Sequence, residues 1–206
     1  KHLVENYSIS QTVWIKSIMA MLIIALYAIT IGQSRQLKTG KPGWHMLRSL
    51  LGLAMLLGIF YGLKYLPLAE VIALSFATPF IIALLSPLLL EEKVTRQSWL
   101  AIIIGFLGVL IIARPTPDHF HIVHFIMLFF ALTVALLIIT ARQLADTESV
   151  ITLNFYLYPF TIAVTTYLAI SDWIVPSLTD WLLFAGLAFC ATAALAGVTQ
   201  ARHYAK

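Results

Sequence analysis

Charged residues and cysteines are both scarce in this sequence, and each shortage excludes a class of protein. Only 11% of the 206 residues are charged, whereas 61% are hydrophobic. A soluble domain usually carries about 25% charged residues, so a soluble chain of this composition would expose apolar surface on every side. The single cysteine, Cys190, excludes a disulfide framework within the chain. We expect it to be a packed, unreactive thiol.

The few charged residues form short clusters, and the runs between them are apolar. These runs approach the ~20 residues that an α-helix needs to cross a bilayer, and they do not alternate like the strands of a transmembrane barrel. The sequence predicts seven spans, at 11–32, 46–63, 68–90, 98–113, 121–141, 150–170 and 181–200. The predicted fold is therefore an all-α integral membrane protein, a multi-helix bundle with seven transmembrane helices.

Lysine and arginine residues are unequally divided between the two sides of this predicted membrane. One side carries nine of them, at Arg35, Lys38, Lys41, Arg48, Lys93, Arg96, Arg142, Arg202 and Lys206. The other side carries three, at Lys1, Lys64 and Arg114. Because cytoplasmic loops carry the excess, we predict that loops 35–41 and 93–96, Arg142 and Arg202 are cytoplasmic, in a bacterial inner (plasma) membrane. This topology accounts for the net charge of +4, so we expect a lipid bilayer and no nucleic acid as partner.

The richest run of motifs lies between residues 58 and 115, which read GIFYGLKYLPLAEVIALSFATPFIIALLSPLLLEEKVTRQSWLAIIIGFLGVLIIARP. An aromatic-basic-Tyr turn leads into a helix with a Ser-x-x-x-Pro centre, at Ser75 and Pro79. A Gly-x-x-Gly-Val pattern follows at 105–109, and the run ends in Arg-Pro at 114–115. In this order the motifs resemble the EamA-type domain of the drug/metabolite transporter superfamily.

The resemblance implies a ten-helix protein built as two inverted halves of five helices. Residues 1–115 would be helices two to five of the first repeat, and 116–206 would be helices six to eight of a second, incomplete repeat. The first residue is Lys1 rather than a methionine, so we expect a part of a longer chain. A similar pattern at 58–65 and 197–204, in opposite predicted orientations, also suggests an inverted repeat. The implied function is a secondary transporter that moves a small metabolite or amphipathic drug-like molecule by alternating access.

Pro79 lies near the middle of the third span, where a proline removes one backbone hydrogen bond and frees a carbonyl around Ser75. In a membrane such a break is tolerated only where protein or a cavity satisfies the freed group. One interpretation is a bent helix along the substrate path, with Ser75 and Thr78 as polar contacts. The other is a kink needed only for packing. The resemblance favours the first, because it implies that this helix lines the cavity.

Two charged side chains are further substrate-cavity candidates. Glu70, in the first turn of the third span, could bind a cationic group or a coupling proton. It could also favour the helix dipole and pair with Lys64. Lys16, in the first span, where many relatives in the family carry arginine, could hold an anionic substrate group or a carboxylate. Alternatively, its long stem could snorkel to the outer interface.

Uncharged polar groups at membrane depth complete the candidates: Tyr61, Asn154, Tyr156 and Gln200. Such groups usually hydrogen-bond between helices for about 1 kcal/mol each, and they could equally orient a ligand. His119 and His121 lack the i, i+4 spacing of a helical metal site, so we assign them, with Asp118 and His124, to a lid loop. We predict no metal, no cofactor and no catalytic residue.

Two functions other than transport stay open. An intramembrane enzyme needs paired acids or a metal cluster at the membrane face, whereas the predicted spans contain no aspartate and Glu70 stands alone. A non-transporting subunit of a larger complex would have a filled centre. The small residues of the Gly58-x-x-x-Gly62 and Ala101-x-x-x-Gly105 pairs let helices approach closely, and we expect them to pack the bundle internally. For a transporter, the sequence leaves open a coupling proton, a counter-substrate and a homodimer formed through these pairs.

Overall fold

The computed structural model describes residues 2–91, 94–113 and 122–204, with side chains for all of these but 36, 109–110, 112–113 and 198–204. Within these ranges every regular element is a helix. The α-helices are α1 (His2–Asn6), α2 (Ile9–Thr30), α3 (Pro42–Tyr65), α4 (Leu68–Ser75), α5 (Ala77–Leu89), α6 (Arg96–Ala113), α7 (Ile122–Leu144), α8 (Val150–Phe155), α9 (Pro159–Ile170) and α10 (Leu178–Tyr204). A short 3₁₀ helix, Ser34–Leu37, connects α2 to α3.

Six helical stretches of the described chain are long and apolar enough to cross a membrane. They are Ile9–Thr30, Pro42–Tyr65, Leu68–Leu89, Ile122–Leu144, Val150–Ile170 and Leu178–Gly197. The predicted class, an α-helical multi-pass membrane protein, is therefore confirmed. The fourth predicted span, 98–113, is helical as part of α6, but several of its side chains lie outside the described set and it is not among the six. The count of seven spans and the ten-helix repeat stay predictions.

Packing divides the chain into two compact units. The first comprises Ala54–Ile139, and the second comprises His2–Leu53 together with the chain from Thr140 onward. The predicted boundary between the two repeats, at 115 and 116, is a different division of the chain. It describes internal symmetry and not packing.

The core of the first unit forms where α3 and α7 approach closely. Leu66, Val71 and Met127 are among its buried residues. A Cβ atom on Gly58 would lie 2.9 Å from the Cβ of Phe130, and one on Gly62 would collide with the Sδ of Met127. Real Cβ atoms essentially never come so close, so two glycines one turn apart permit this contact.

In the second unit, α2 packs against α9 and α10. Ser8 caps the N-terminus of α2 by accepting a hydrogen bond from the backbone N–H of Gln11 at 3.2 Å. The side chain of Gln11 in turn forms two hydrogen bonds with the backbone of Ile174, at 2.5 and 3.1 Å. Trp14 donates its indole N–H to the Thr166 hydroxyl at 2.7 Å. These polar groups of α2 therefore fasten it to its neighbours.

Two of the membrane spans are broken. The third predicted span, 68–90, divides at Phe76 into α4 and α5, with Pro79 in the first turn of α5. The span Val150–Ile170 divides at residues 156–158 into α8 and α9, and Pro159 opens α9. A proline lacks the N–H that would continue the upstream helix, which accounts for a break just before each one.

Candidate functional site

The most unusual side chain of the second unit is Lys16, which lies within the membrane span α2. It follows Ile9 by seven residues, which places it about 10 Å along the helix axis. Its relative exposure is 5%, and its ammonium lies 4.9 Å from the ring centroid of Tyr158, itself 2% exposed. Lys16 is therefore buried within the unit.

No countercharge accompanies this ammonium in the part of the chain that the structure describes. No carboxylate lies within salt-bridge distance of it there, and no hydrogen-bond acceptor contacts it. A desolvated cation–π contact contributes about 2 kcal/mol, whereas taking an ion out of water costs several kcal/mol. The protein therefore holds a positive charge whose burial its own described residues compensate only in part.

Two hydroxyl groups beside Lys16 are also without partners. Thr12 and Ser17 are both 0% exposed, and among the described residues neither hydroxyl oxygen has a hydrogen-bond partner. Thr12 precedes Lys16 by one turn and so shares its face of α2. Each buried unsatisfied polar group costs about 1–3 kcal/mol. Thr12 thus lies on the face of Lys16 and Ser17 lies about 100° further around the helix. Both hydroxyls are without partners, whereas Gln11 and Trp14 of the same helix are bonded.

The ring above Lys16 belongs to the break between α8 and α9. Tyr158 is the residue that immediately precedes α9, and its buried ring faces the ammonium. On another side of the same break, Arg48 donates to the Leu153 carbonyl at 3.3 Å and Ser49 donates to the Leu157 carbonyl at 3.1 Å. The break is therefore a polar region within a membrane span, with side chains of α2 and α3 directed at it.

Arg48 belongs to a second buried polar cluster, which the sequence did not reveal. His45, Arg48 and Glu148 have exposures of 2%, 2% and 7%. Thr39 donates to Oε1 of Glu148 at 2.7 Å, and Nε2 of His45 lies 3.6 Å from Oε2 of the same carboxylate. Arg48 also donates to the Thr140 hydroxyl at 2.9 Å. The one sequence feature that pointed to this cluster was the position of Arg48 inside the predicted second span.

Two other candidates of the second unit form hydrogen bonds within the protein, although Oδ1 of Asn154 has no partner among the described residues. Asn154 is buried and donates to the Val150 carbonyl of its own helix at 3.0 Å. Tyr156 is half-buried and donates its hydroxyl to the Leu37 carbonyl at 3.0 Å, while its ring packs on His45 at 4.7 Å between centroids. Gln200 lies in α10, and its side chain is outside the described set. A role in substrate binding stays a prediction for all three.

In the first unit, Glu70 pairs with a histidine rather than with Lys64. Oε2 of Glu70 lies 3.5 Å from Nε2 of His124, which is buried in α7 and is not part of a loop. The ammonium of Lys64 lies instead 5.9 Å from the ring of Tyr65. Tyr61 packs against that same ring at 4.6 Å. Asp118, His119 and His121 lie outside the described residues.

The candidates around the first break have protein partners. Ser75 donates to the Val71 carbonyl of its own helix at 2.7 Å. Thr78 is buried and donates to the Ala131 carbonyl of α7 at 3.5 Å. Pro79 is exposed on the unit. Of the nine candidates, Lys16 alone thus combines burial, charge and the absence of a hydrogen-bonded or charged partner among the described residues.

Comparisons with known proteins identify what this arrangement belongs to. The sequence model of the EamA-like transporter family matches residues 1–114. A riboflavin transporter of Vibrio cholerae is 31% identical over 81% of this chain and 57% of its own length. An S-adenosylmethionine uptake transporter of Rickettsia prowazekii is 28% identical over 76% of this chain and 53% of its own length. The chain spans about half the length of the curated relatives it matches.

The fold also has a match among solved structures. One crystal structure superposes with a TM-score of 0.68 at 19% sequence identity, over 93% of this chain and 67% of the other. At that identity the match shows the fold alone. The sequence match to a family of transporters, taken by itself, agrees with the prediction that the protein is not an enzyme. The chain belongs to the EamA-like transporter family.

Proposed function

We propose that this protein is a secondary transporter that moves a small metabolite across the membrane by alternating access. The observation that carries the proposal is the buried ammonium of Lys16 beside the broken span α8–α9. Secondary transporters typically build substrate sites from discontinuous membrane helices, and ionisable side chains within spans mark substrate or ion pathways. Both features meet at Tyr158.

The chemistry of the break supports the same proposal. Irregular backbone at membrane depth is tolerated only where protein or water satisfies its polar groups. Arg48 and Ser49 satisfy the carbonyls of Leu153 and Leu157. Lys16, Thr12 and Ser17 retain capacity to bond. Donors that the protein leaves unbonded are what a polar substrate would bind to.

The names of the relatives suggest the size of the substrate. One relative is a riboflavin transporter and another an S-adenosylmethionine uptake transporter, so we propose a metabolite of that general size. Residues 1–115 would form helices two to five of one five-helix repeat, and 116–206 the beginning of the second. The match of the family model to 1–114 supports that first boundary. We place loops 35–41 and 93–96 in the cytoplasm of a bacterium, with a coupling proton, a counter-substrate or a homodimer as additional possibilities to test.

Counterflow in liposomes tests the proposed function. The purified protein is reconstituted, liposomes are loaded with unlabelled riboflavin, flavin mononucleotide, S-adenosylmethionine or adenosine monophosphate, and entry of the same labelled compound is followed. We expect labelled compound to accumulate transiently above protein-free liposomes for at least one of the four. Accumulation equal to that of protein-free liposomes for all four compounds would contradict the proposal.

Two tyrosines of the same helix region provide the matched variants. Tyr158→Leu removes the 2% exposed ring at the break, and we expect it to lower counterflow by about tenfold or more. Tyr167→Leu removes a ring that is 81% exposed, and it should leave counterflow unchanged. Size-exclusion profiles of both variants establish that each is folded before transport is compared.

A further inference from the structure

We infer that the site at Lys16 binds the anionic group, a carboxylate or a phosphate, of a small organic anion. The inference rests on the proposed function and specifies the charge of its substrate. It is carried by three side chains of one helix segment, all nine-tenths or more buried. The hydroxyls of Thr12 and Ser17 have no hydrogen-bond partner among the described residues, and the ammonium of Lys16 lies against the ring of Tyr158 without a salt bridge there.

The acidic residues of the helices around Lys16 do not neutralise its positive charge, which leaves that role to a ligand. The helices packed with α2 are α1, the 3₁₀ helix Ser34–Leu37, α8, α9 and α10. Across α2 and these helices, the sequence contains two acidic residues, Glu5 of α1 and Asp180 of α10. Glu5 is exposed. The Asp180 carboxylate is at the start of α10, where it accepts hydrogen bonds from Tyr7 at 2.7 Å and Ser177 at 2.6 Å. Among the described residues, no salt bridge joins either carboxylate to Lys16, so its neutralisation is left to a group other than these two.

The donors present fit an oxyanion. An ammonium offers three N–H donors and no acceptor, and each hydroxyl can donate one hydrogen bond. Carboxylate and phosphate oxygens accept several hydrogen bonds at once and form the stronger, charge-assisted kind. A cationic ligand would instead meet Lys16 as a like charge. The buried ring of Tyr158, beside the ammonium, offers an apolar surface to the body of the same molecule.

Matched pairs of ligands test the charge preference. Binding to the purified protein is measured by isothermal calorimetry for flavin mononucleotide against riboflavin, adenosine monophosphate against adenosine, and indole-3-acetate against indole-3-ethanol and tryptamine. We expect at least one anion to bind more tightly than its neutral partner. Lys16→Met should lower the affinity for that anion at least roughly 30-fold, the fold-change of truncating one partner of a buried charge pair. The affinity for the neutral partner should change far less.

Three variants serve as controls. Lys16→Arg keeps the charge and should keep the preference for the anion. Lys64→Met removes an exposed lysine at the end of α3 and should leave all affinities unchanged. Thr12→Val combined with Ser17→Ala removes the two hydroxyls while retaining the charge, and it should weaken anion binding. This last variant keeps the test decisive if Lys16→Met does not fold.

A lipid phosphate is a second source of the same chemistry. The calorimetry is therefore repeated in nanodiscs of phosphatidylcholine and of phosphatidylglycerol. Equal anion binding in both supports a soluble ligand, whereas loss in phosphatidylglycerol alone would overturn the assignment in favour of a headgroup. Three other results would also overturn the assignment. They are equal affinities for an anion and its neutral partner, a preference for the anion that survives Lys16→Met, and no binding of any anion. Counterflow of a neutral compound in those cases would leave the proposed function standing.

Discussion

A buried ammonium without a countercharge destabilises the protein that contains it, and Lys16 is such a group. If its role is to meet a ligand, the fold should gain from its loss. We predict that Lys16→Met raises the unfolding free energy by roughly 1–3 kcal/mol, because it replaces an incompletely compensated buried charge by an apolar chain of similar length. The measurement is the thermal unfolding midpoint of the ligand-free protein in detergent.

Lys64→Met is the reference for this stability measurement, because Lys64 is exposed. Surface substitutions usually change stability by no more than about 0.5 kcal/mol. A lower midpoint for Lys16→Met than for the parent would show that Lys16 stabilises the fold, and the interpretation as a ligand-binding charge would lose its energetic basis.

The sequence located Lys16 within a span but did not decide where its side chain points. The spans are apolar on all sides, so nothing in the pattern of α2 distinguishes the face toward α9 and α10 from the face toward lipid. Packing makes that choice. Arg48 illustrates the same limit, because counting charges along the chain assigned it to a loop side whereas the fold buries it against Leu153, 105 residues away.

At the scale of helices, the main feature of the first unit is the close contact between α3 and α7. The sequence predicted tight packing through two small-residue pairs, at 58 and 62 and at 101 and 105. In the structure the first pair lies at the contact between α3 and α7, whereas a Cβ atom on Gly105 would meet no described atom within 4 Å. The spacing of the glycines was therefore visible in the sequence, but not which pair is used.

This difference predicts opposite effects for two glycine-to-alanine changes. Gly58→Ala should lower the unfolding midpoint, since its Cβ would lie 2.9 Å from the Cβ of Phe130. Relieving this close contact requires a backbone shift that costs roughly 1–3 kcal/mol. Gly105→Ala should be neutral or stabilising, because alanine favours a helix by about 1 kcal/mol over glycine. Equal midpoints for the two variants would contradict the close approach of α3 and α7.

The breaks in the spans were only half predictable. Pro79 led us to expect a bent third span, and the structure divides that span at Phe76. The break before Pro159 was not predicted, although the proline is present in the sequence, because a proline at the first position of a helix does not by itself distinguish a new helix from a loop end. The cluster of His45 with Glu148 was invisible for a different reason, since it joins residues more than 100 positions apart.

At the scale of the whole molecule, the composition was sufficient to predict an α-helical membrane protein. The motifs were sufficient to predict the family. A charged fraction of 11% leaves little besides a membrane protein, and the ordered motifs of 58–115 pointed to the family that the match over 1–114 establishes. Chemistry at the site was less accessible. It depends on which polar groups find partners after folding, and neighbouring residues such as Gln11 and Thr12 differ in that respect.

The central claim is that the region around Lys16 is an alternating-access site, and two-sided cysteine labelling tests it most directly. Cys190 is exposed and not packed as predicted, so it is first removed by Cys190→Ser. In that background, Ser17→Cys introduces one thiol next to Lys16 in the chain, at a fully buried position. Right-side-out and inside-out vesicles are treated with a membrane-impermeant maleimide, with Ser10→Cys at the start of α2 as the reference. We predict labelling of the Ser17→Cys protein from both sides, slowed by a bound anion, and labelling of the Ser10→Cys protein from one side. Labelling of the Ser17→Cys protein from only one side, or from neither, would contradict the account.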